Sequence, residues 1–244
     1  MMKIMRLDEW LVNKGFISSR SKANRFIRNK GVRVNTKQCM KPAYIVKKTD
    51  DIILDKSILI KFTNPLGYQK LDLFVNQAEI PFYPNDQVLD IGASAGGFCK
   101  YILEQNIESL FAIEISPQFK PFLYLLKDEY PNFSYHIGNV FTLPTPLTEK
   151  RFNLVTIDLT IDPIFLLDNI INLLLLVTSN EHPARVLCII KIENPDDADI
   201  IIQKYTSHIK NSVPNLQKLI FLDSLPEKNE KAMYVEFWSQ IRES

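Results

Sequence analysis

The sequence predicts an α/β protein in which a parallel sheet, with helices on both faces, follows a small α+β domain. Short apolar strands alternate with helical segments after residue 62, a pattern typical of a parallel sheet covered on both sides. The charge changes at the same point, since residues 1–62 hold 15 Lys and Arg against 5 Asp and Glu, whereas residues 63–244 hold 14 against 23. We therefore expect two domains, 1–62 and 63–244, and a basic first domain that binds a polyanion.

The first domain begins with two short helices. Apolar residues recur at helical spacing over residues 7–11 and 23–27. Gly15 is expected to end the first helix, and Ser18 or Ser19 to cap the second. A strand over residues 31–35 that enters a turn, and further apolar alternation over residues 44–54, add the β structure.

Three short motifs in this domain resemble the small RNA-binding fold named after ribosomal protein S-four. They are Arg-Leu-Asp at residues 6–8, Ser-Arg-Ser-Lys-Ala at residues 19–23 and Gly-Val-Arg-Val-Asn at residues 31–35, and the likeness covers residues 5–55. The resemblance implies that basic side chains of this domain contact RNA phosphates. The residues concerned are Arg6, Arg20, Lys22, Arg25, Arg28 and Arg33.

The second domain is expected to follow a linker over residues 63–67. Its strands are predicted at residues 88–91, 110–115, 133–137, 152–158 and 185–191. Helices are predicted at residues 97–105 and 121–128, and from Pro163 and Pro195, while hairpin signals appear only near the C-terminus.

A glycine-rich turn after the first of these strands predicts a nucleoside-binding crevice. Asp90 ends the strand, and the turn runs through Gly92 and Gly96 to Phe98 at the start of a helix. Glu114 ends the next strand 24 residues after Asp90, where a carboxylate can accept both ribose hydroxyls. Later strand ends add Asn139, which could read an adenine edge, and Asp158.

Two lysines predict a second chemical centre. Lys70 precedes the first strand, and Lys191 ends an apolar strand, where a charge without a purpose is costly. The string from Leu89 to Phe98 resembles the first motif of S-adenosylmethionine-dependent methyltransferases, which implies attack on a methyl sulfonium. If the attacking group is an RNA 2′-hydroxyl, a weak nucleophile, its proton must be removed during the attack. A lysine whose pKa is lowered by a neighbouring ammonium could accept that proton, and Asp158 could orient the other lysine.

Together these motifs resemble the FtsJ-like ribose 2′-O-methyltransferases, and in particular the haemolysin-like TlyA subgroup. The match lies in Tyr68 to Asp72 and in Asp90 to Phe98. The resemblance implies a Rossmann-like catalytic domain, S-adenosylmethionine as cofactor, and a Lys-Asp-Lys-Glu tetrad. Its first three members correspond to Lys70, Asp158 and Lys191.

The fourth tetrad member is ambiguous in the sequence. A gap-free comparison puts Met233 near the glutamate position, so that Glu236 is the leading candidate and Glu230 the alternative. The lead that precedes the first lysine in these families is also replaced, here by Asn-Pro-Leu-Gly at residues 64–67.

The favoured function is therefore ribose 2′-O-methylation of a structured RNA, with ribosomal RNA or a ribosomal subunit as the expected partner. Two alternatives stay open. The first is a methyltransferase of other RNA specificity, although the Asp-Leu-Thr-Ile at residues 158–161 lacks the residues typical of base methylases. The second is a non-catalytic RNA-binding protein that keeps a degenerate methyltransferase fold.

Composition narrows the remaining classes. The longest apolar run, Ile170 to Val177, is far shorter than the roughly 20 residues of a membrane span, so no membrane association is expected. Three widely spaced cysteines and three scattered histidines predict neither disulfides nor a metal site. We expect a cytoplasmic protein.

Overall fold

The structure is a computed structural model that describes residues 5–17, 19–55, 58–59, 65–142, 151–174, 176–179, 181–224 and 229–239. It divides into two compact units, residues 1–65 and 66–244. We describe each unit by itself, and call the first the head and the second the body.

The head packs two helices against short strands. Its elements are β1 (Met5–Arg6), α1 (Leu7–Asn13), α2 (Arg20–Arg28), β2 (Val32–Val34), β3 (Lys37–Gln38), β4 (Ile45–Val46) and β5 (Ile52–Leu54). Strand β2 pairs antiparallel with β3 and β5, and β1 pairs antiparallel with β4. Leu11, Phe26 and Ile27 are fully buried in its core.

The predicted caps of the head helices can now be located. Ser19 accepts a hydrogen bond from the amide of Lys22 and caps α2, while Ser18 lies outside the described residues. Gly15 follows the end of α1 with a φ of +74°, a left-handed conformation that glycine adopts without strain.

The body contains seven strands and five α-helices among its described residues. They are α3 (Leu66–Ala78), β6 (Gln87–Ile91), α4 (Gly97–Leu103), β7 (Ser109–Glu114), α5 (Lys120–Glu129), β8 (Phe133–Ile137), β9 (Leu154–Ile157), α6 (Pro163–Leu174), β10 (Ala184–Lys191), α7 (Ala198–Ser212), β11 (Leu216–Asp223) and β12 (Glu230–Phe237).

These strands form one sheet in the order β11-β12-β10-β9-β6-β7-β8. Strands β10, β9, β6, β7 and β8 run parallel, and the hairpin of β11 and β12 completes the sheet in antiparallel pairing. Buried side chains of α6 and α7 cover one face, and those of α3, α4 and α5 cover the other. The predicted fold class is thereby confirmed.

The predicted linker ends earlier than expected. Residues 63–64 lie outside the described part of the chain, but Leu66 and Gly67 already belong to α3. Gly67 is needed there for packing: a Cβ on it would lie 3.3 Å from the Cα of Gly97, at the start of α4. The glycine signals a close helix contact, which the sequence could not distinguish from a flexible joint.

A buried ion pair holds together the amino ends of the strands. The guanidinium of Arg185 on β10 donates to both carboxylate oxygens of Asp86 and to the carbonyl of Pro81, and both charged residues are at most 1 % exposed. Arg185 also lies 4.7 Å from the ring centroid of Tyr83. A buried ion pair thus stabilises this end of the sheet, and the predicted site residues lie at the opposite end.

Replacing Asp86 with alanine is expected to lower the free energy of unfolding by about 3–5 kcal/mol, because it leaves the Arg185 charge buried without its partner. Denaturant unfolding measures the loss. The exposed Glu193→Ala variant serves as a control, with an expected change of about 0.5 kcal/mol or less. A similar small loss for Asp86→Ala would contradict the structural role assigned to the pair.

Candidate active site

The crevice lies where the strand order reverses. From β6 the chain proceeds outward through β7 and β8, and then returns to place β9 on the other side of β6. Ligands bind open α/β sheets at such a point, at the carboxyl ends of the strands. Gly92 follows β6 there with a φ of +87°, and a Cβ on it would lie 2.4 Å from the carbonyl oxygen of Asp158. Only glycine fits between these two strand ends.

Two further glycines of the turn serve packing. Gly96 has a φ of +77°, and a Cβ on it would lie 2.4 Å from a methyl carbon of Leu126 on α5. A Cβ on Gly97 would lie 2.9 Å from the Cα of Gly67 on α3. The turn therefore sits in close contact with both neighbouring helices, and α3 is the helix that carries Lys70.

Glu114 at the end of β7 is positioned as a nucleoside ligand. Its side chain is buried, and its two oxygens accept hydrogen bonds of 2.7 Å from the amides of Ser94 and Ser116. The amide of Ser94 belongs to the glycine-rich turn, so the carboxylate is fixed against it. Each carboxylate oxygen has a second lone pair, which can accept a ribose hydroxyl.

Asp90 requires a correction, because its side chain does not line the crevice. The carboxyl is fully buried and accepts hydrogen bonds from Thr156 at 2.7 Å and from the thiol of Cys99 at 3.0 Å. Burial raises the pKa of Asp90 to about 6, although both hydrogen bonds oppose the shift. Asp90 thus links β6 to β9 and to α4 in the core, and it is not placed to contact a ligand.

Two other predicted cofactor ligands differ in how they are placed. Asn139 is exposed, and its side-chain oxygen accepts a hydrogen bond from the amide of Phe141 and so caps a short turn. A contact from Asn139 to adenine stays a prediction. Phe98 is buried, and its ring centroid lies 5.5 Å from the Nζ of Lys70.

Four charged side chains meet beside the turn. Lys70 from α3 and Lys191 from the end of β10 flank Asp158, which follows β9, and Glu230, which begins β12. Lys191 Nζ lies 2.6 Å from Asp158 Oδ1 and 2.7 Å from Glu230 Oε2. Lys70 donates to Asp158 Oδ2, and its Nζ is 3.3 Å from Glu230 Oε1. Each carboxylate thus bridges both lysines in a closed ring.

The structure corrects the fourth position of the tetrad, because Glu230, and not Glu236, contacts the lysines. Glu230 is paired with Lys191 in the antiparallel register of β10 and β12, whereas Glu236 is paired with Arg185 near the other end. Glu236 accepts a hydrogen bond from Tyr234 and lies about 20 Å along the strand from the ring.

The charged forms of the ring stabilise one another. Burial alone would lower the pKa of Lys191, but Asp158 and Glu230 outweigh it and raise the pKa above its ordinary value. Burial alone would raise the pKa of Glu230, but Lys191, Ser224 and Lys70 hold it below its ordinary value. The expectation that an ammonium lowers the pKa of Lys191 is therefore not met in the free protein, because two carboxylates stand closer.

The head presents arginines on the outer face of α2. Arg20, Ser21, Asn24, Arg25 and Arg28 line a shallow open concavity. Lys22 is exposed beside this face, and Arg33 is exposed on β2. Arg6 and Arg20 both donate to the fully buried carboxylate of Asp8, which fixes their guanidinium groups at the surface. The sequence analysis did not single out Asp8 for this role.

None of the helices in the described part of the chain is both long and apolar enough to cross a membrane. Within the same ranges, no cluster of three or more His, Cys, Asp or Glu side chains could hold a metal ion.

Comparison with known families now identifies both parts of the chain. Residues 5–52 match the S4 domain, and residues 67–188, half of the sequence, match the FtsJ-like methyltransferase. The chain belongs to the FtsJ-like methyltransferase family. The second match begins at the first turn of α3 and includes two residues of the ring, Lys70 and Asp158, together with the glycine-rich turn between them, but it ends before Lys191.

Individual proteins are similar to this chain in sequence or in fold. Hemolysin A of Brachyspira hyodysenteriae is 34 % identical over 111 residues, which are 46 % of this chain and only 45 % of that protein. A candidate hemolysin from Streptococcus thermophilus shares 17 % identity with a TM-score of 0.56, covering 98 % of this chain and 90 % of that one. Fibrillarin of Aeropyrum pernix, solved with bound S-adenosyl-L-methionine, shares 13 % identity with a TM-score of 0.52, covering 69 % and 75 %.

The cofactor of this family is S-adenosylmethionine, and the crevice fits it. Glu114 offers the acceptor that its ribose hydroxyls need, and it lies beside the glycine-rich turn at the carboxyl ends of the strands, where open α/β sheets bind ligands. Asp158, at the end of β9, would lie on the side of the methionine moiety.

Replacing Glu114 with alanine is expected to weaken binding of S-adenosylmethionine by about 1–3 kcal/mol, because two ribose hydroxyls lose their shared acceptor. Calorimetry on the purified protein measures this affinity. Glu104→Ala, which removes a carboxylate on the surface between α4 and β7, should bind as the wild type does. Unchanged affinity of the Glu114 variant would place the nucleoside elsewhere.

Proposed function

We propose that this protein methylates a ribose 2′-hydroxyl of a structured RNA, with ribosomal RNA as the expected substrate and the head as the RNA-binding part. The observation that carries the proposal is the ring of Lys70, Asp158, Lys191 and Glu230 beside the cofactor turn. A scaffold without catalytic activity would not need four charges gathered in a half-buried site, where each must be desolvated.

The ring supplies the groups that a hydroxyl nucleophile requires. S-adenosylmethionine, when bound, offers a methyl group on a positively charged sulfur. Lys191 is the more exposed of the two lysines, since 25 % of its side chain is accessible to solvent against 9 % for Lys70. We assign to Lys191 the proton of the attacking 2′-hydroxyl, and to Lys70 the orientation of Asp158.

Lys191 can accept that proton only when its own side chain is neutral. Asp158 and Glu230 favour its charged form in the free protein, so the neutral fraction is small near neutral pH. The rate of methyl transfer should therefore rise with pH on the alkaline side, until Lys191 is neutral in the complex with RNA.

Glu230→Gln tests both the role of Glu230 and this pH dependence. The variant should lower the maximal rate by about 10- to 100-fold, and loss of one negative charge should move the rising limb to lower pH by on the order of one unit. Glu236→Gln is the matched control on the same strand and should change neither value. Equal effects of the two substitutions would refute the assignment of Glu230.

The head supports RNA as the substrate. It carries an excess of ten positive charges, whereas the body carries an excess of nine negative charges, so a polyanion is attracted to the head alone. Three of its arginines, Arg20, Arg25 and Arg28, lie on one exposed helix face, where they can contact phosphates of the same RNA together.

Nucleoside mass spectrometry of ribosomal RNA from cells with and without the gene tests the proposal. We expect one 2′-O-methylnucleoside to disappear with the gene. Loss of a base-methylated nucleoside instead would support the alternative specificity, and an unchanged nucleoside pattern would contradict the proposed substrate.

A further inference from the structure

The hairpin of β11 and β12 contributes a second residue to the charged ring. Ser224 directly follows β11, and its hydroxyl donates a hydrogen bond of 2.7 Å to Oε1 of Glu230 at the start of β12. The two residues face each other at the loop end of the hairpin, where Lys231 also pairs with Asp223. Ser224 reaches the ring from an element that carries none of its four charges.

This contact acts on the carboxylate oxygen whose ionic partner is more distant. Glu230 Oε2 lies 2.7 Å from Lys191, but Oε1 lies 3.3 Å from Lys70, too far for a short charge-assisted hydrogen bond. A glutamate has several rotatable bonds, so one short contact does not define the orientation of its carboxylate. The hydroxyl of Ser224 supplies a second short contact on the other oxygen.

We propose that Ser224 is a positioning residue that fixes the Glu230 carboxylate, so that one oxygen faces Lys191 and the other faces Lys70. This inference rests on the proposed function, because it assigns Ser224 to the site that performs it. Without the hydroxyl, the carboxylate can turn both oxygens toward Lys191, and Lys70 loses its second partner. Ser224 then matters for the rate of the reaction and not for the affinity of either substrate.

Kinetics of four variants test the positioning role in the full chain. Ser224→Ala should lower kcat by about 3- to 10-fold with KM unchanged for RNA and S-adenosylmethionine, as expected for the loss of one hydrogen bond to a carboxylate that keeps its ionic partners. Ser224→Thr keeps the hydroxyl and should retain the wild-type rate. Ser239→Ala removes a half-buried serine hydroxyl at the other end of β12 and should have no effect. In a Glu230→Ala background, which removes the acceptor of the Ser224 hydroxyl, Ser224→Ala should cost no further activity.

Carbon-13 NMR of the glutamate carboxyl carbons tests the same contact without the reaction, with the Glu230 signal assigned from Glu230→Gln. A hydrogen bond to the charged form lowers a pKa, so the titration midpoint of Glu230 should move to higher pH in Ser224→Ala and return in Ser224→Thr. An unchanged midpoint, or an equal loss of kcat when Ser224→Ala is made in the Glu230→Ala background, overturns the proposal. Absence of methyl transfer by the wild type overturns the proposed function, and the NMR titration then decides the Ser224 contact alone.

Discussion

Lys191→Ala is expected to lower the rate of methyl transfer to RNA by about 10²- to 10⁴-fold, the usual contribution of a positioned proton acceptor. Affinity for S-adenosylmethionine should stay within about twofold. Lys191 contacts Asp158 and Glu230, whereas the predicted ribose acceptor is Glu114, which lies on another strand and is not part of the ring. Single-turnover transfer of a labelled methyl group measures the chemical step, and calorimetry measures cofactor binding.

The control for this variant is Lys210→Ala, which removes an exposed lysine from the last turn of α7. It should transfer methyl groups at the wild-type rate. Removing Lys191 leaves Asp158 and Glu230 with Lys70 as their remaining partner in the ring, which could destabilise the fold. Thermal unfolding therefore checks that the Lys191 variant is folded. A folded Lys191→Ala protein that binds cofactor and works at the wild-type rate would refute the proposed role of Lys191.

Reversing the charges of Arg25 and Arg28 is expected to weaken RNA binding by about 10- to 100-fold near 0.1 M salt. Both side chains line the exposed face of α2. Each phosphate contact that is lost reduces the number of counterions released when RNA binds. The slope of log affinity against log salt should therefore become shallower by roughly two. Filter binding of the full chain over a range of salt concentrations measures both quantities.

The matched control makes the same charge change on the body. Lys204→Glu with Lys210→Glu alters two exposed lysines of α7 and leaves the head intact. If RNA is held by the head, these substitutions should change the affinity and the salt slope far less. Equal losses for the two double variants would mean that net charge alone governs binding.

The sequence predicted those site residues whose position depends only on where a strand or turn ends. Lys191 and Asp158 end neighbouring parallel strands, and such ends meet at one edge of a sheet whatever the details of packing. Glu114 follows the same rule on β7, and the turn after β6 was recognisable from its glycines. Lys70 was predicted from its motif, although its place on a helix was not.

The features that the sequence did not reveal depend on pairing between distant segments. Glu230 reaches the ring because β12 lies antiparallel to β10 in one particular register, which brings Glu230 opposite Lys191. A shift of six residues in the register would have placed Glu236 there, and nothing in the local pattern excludes that shift. Ser224 belongs to the same register and carries no motif of its own.

Burial separated two acidic residues that looked alike in the sequence. Asp90 and Glu114 both end strands before the crevice, yet only Glu114 presents its carboxylate beside the turn. Asp90 points instead into the core, where Thr156 and Cys99 satisfy it. Asp90 pairs with Ala112, so Glu114 lies on the same face of the sheet but two residues nearer its carboxyl end. The sequence locates a strand end only to within a residue or two, and therefore could not distinguish these two depths.

The central claim is that the ring of Lys70, Asp158, Lys191 and Glu230 directs a methyl group to a ribose hydroxyl. Its most direct test is a reaction of the full chain with ribosomal subunits and S-adenosylmethionine that carries a deuterated methyl group. Tandem mass spectrometry of the digested RNA then locates the label in either the sugar or the base fragment. The account predicts a label on the sugar for the wild type and none for Lys191→Ala, and a label on the base would contradict it.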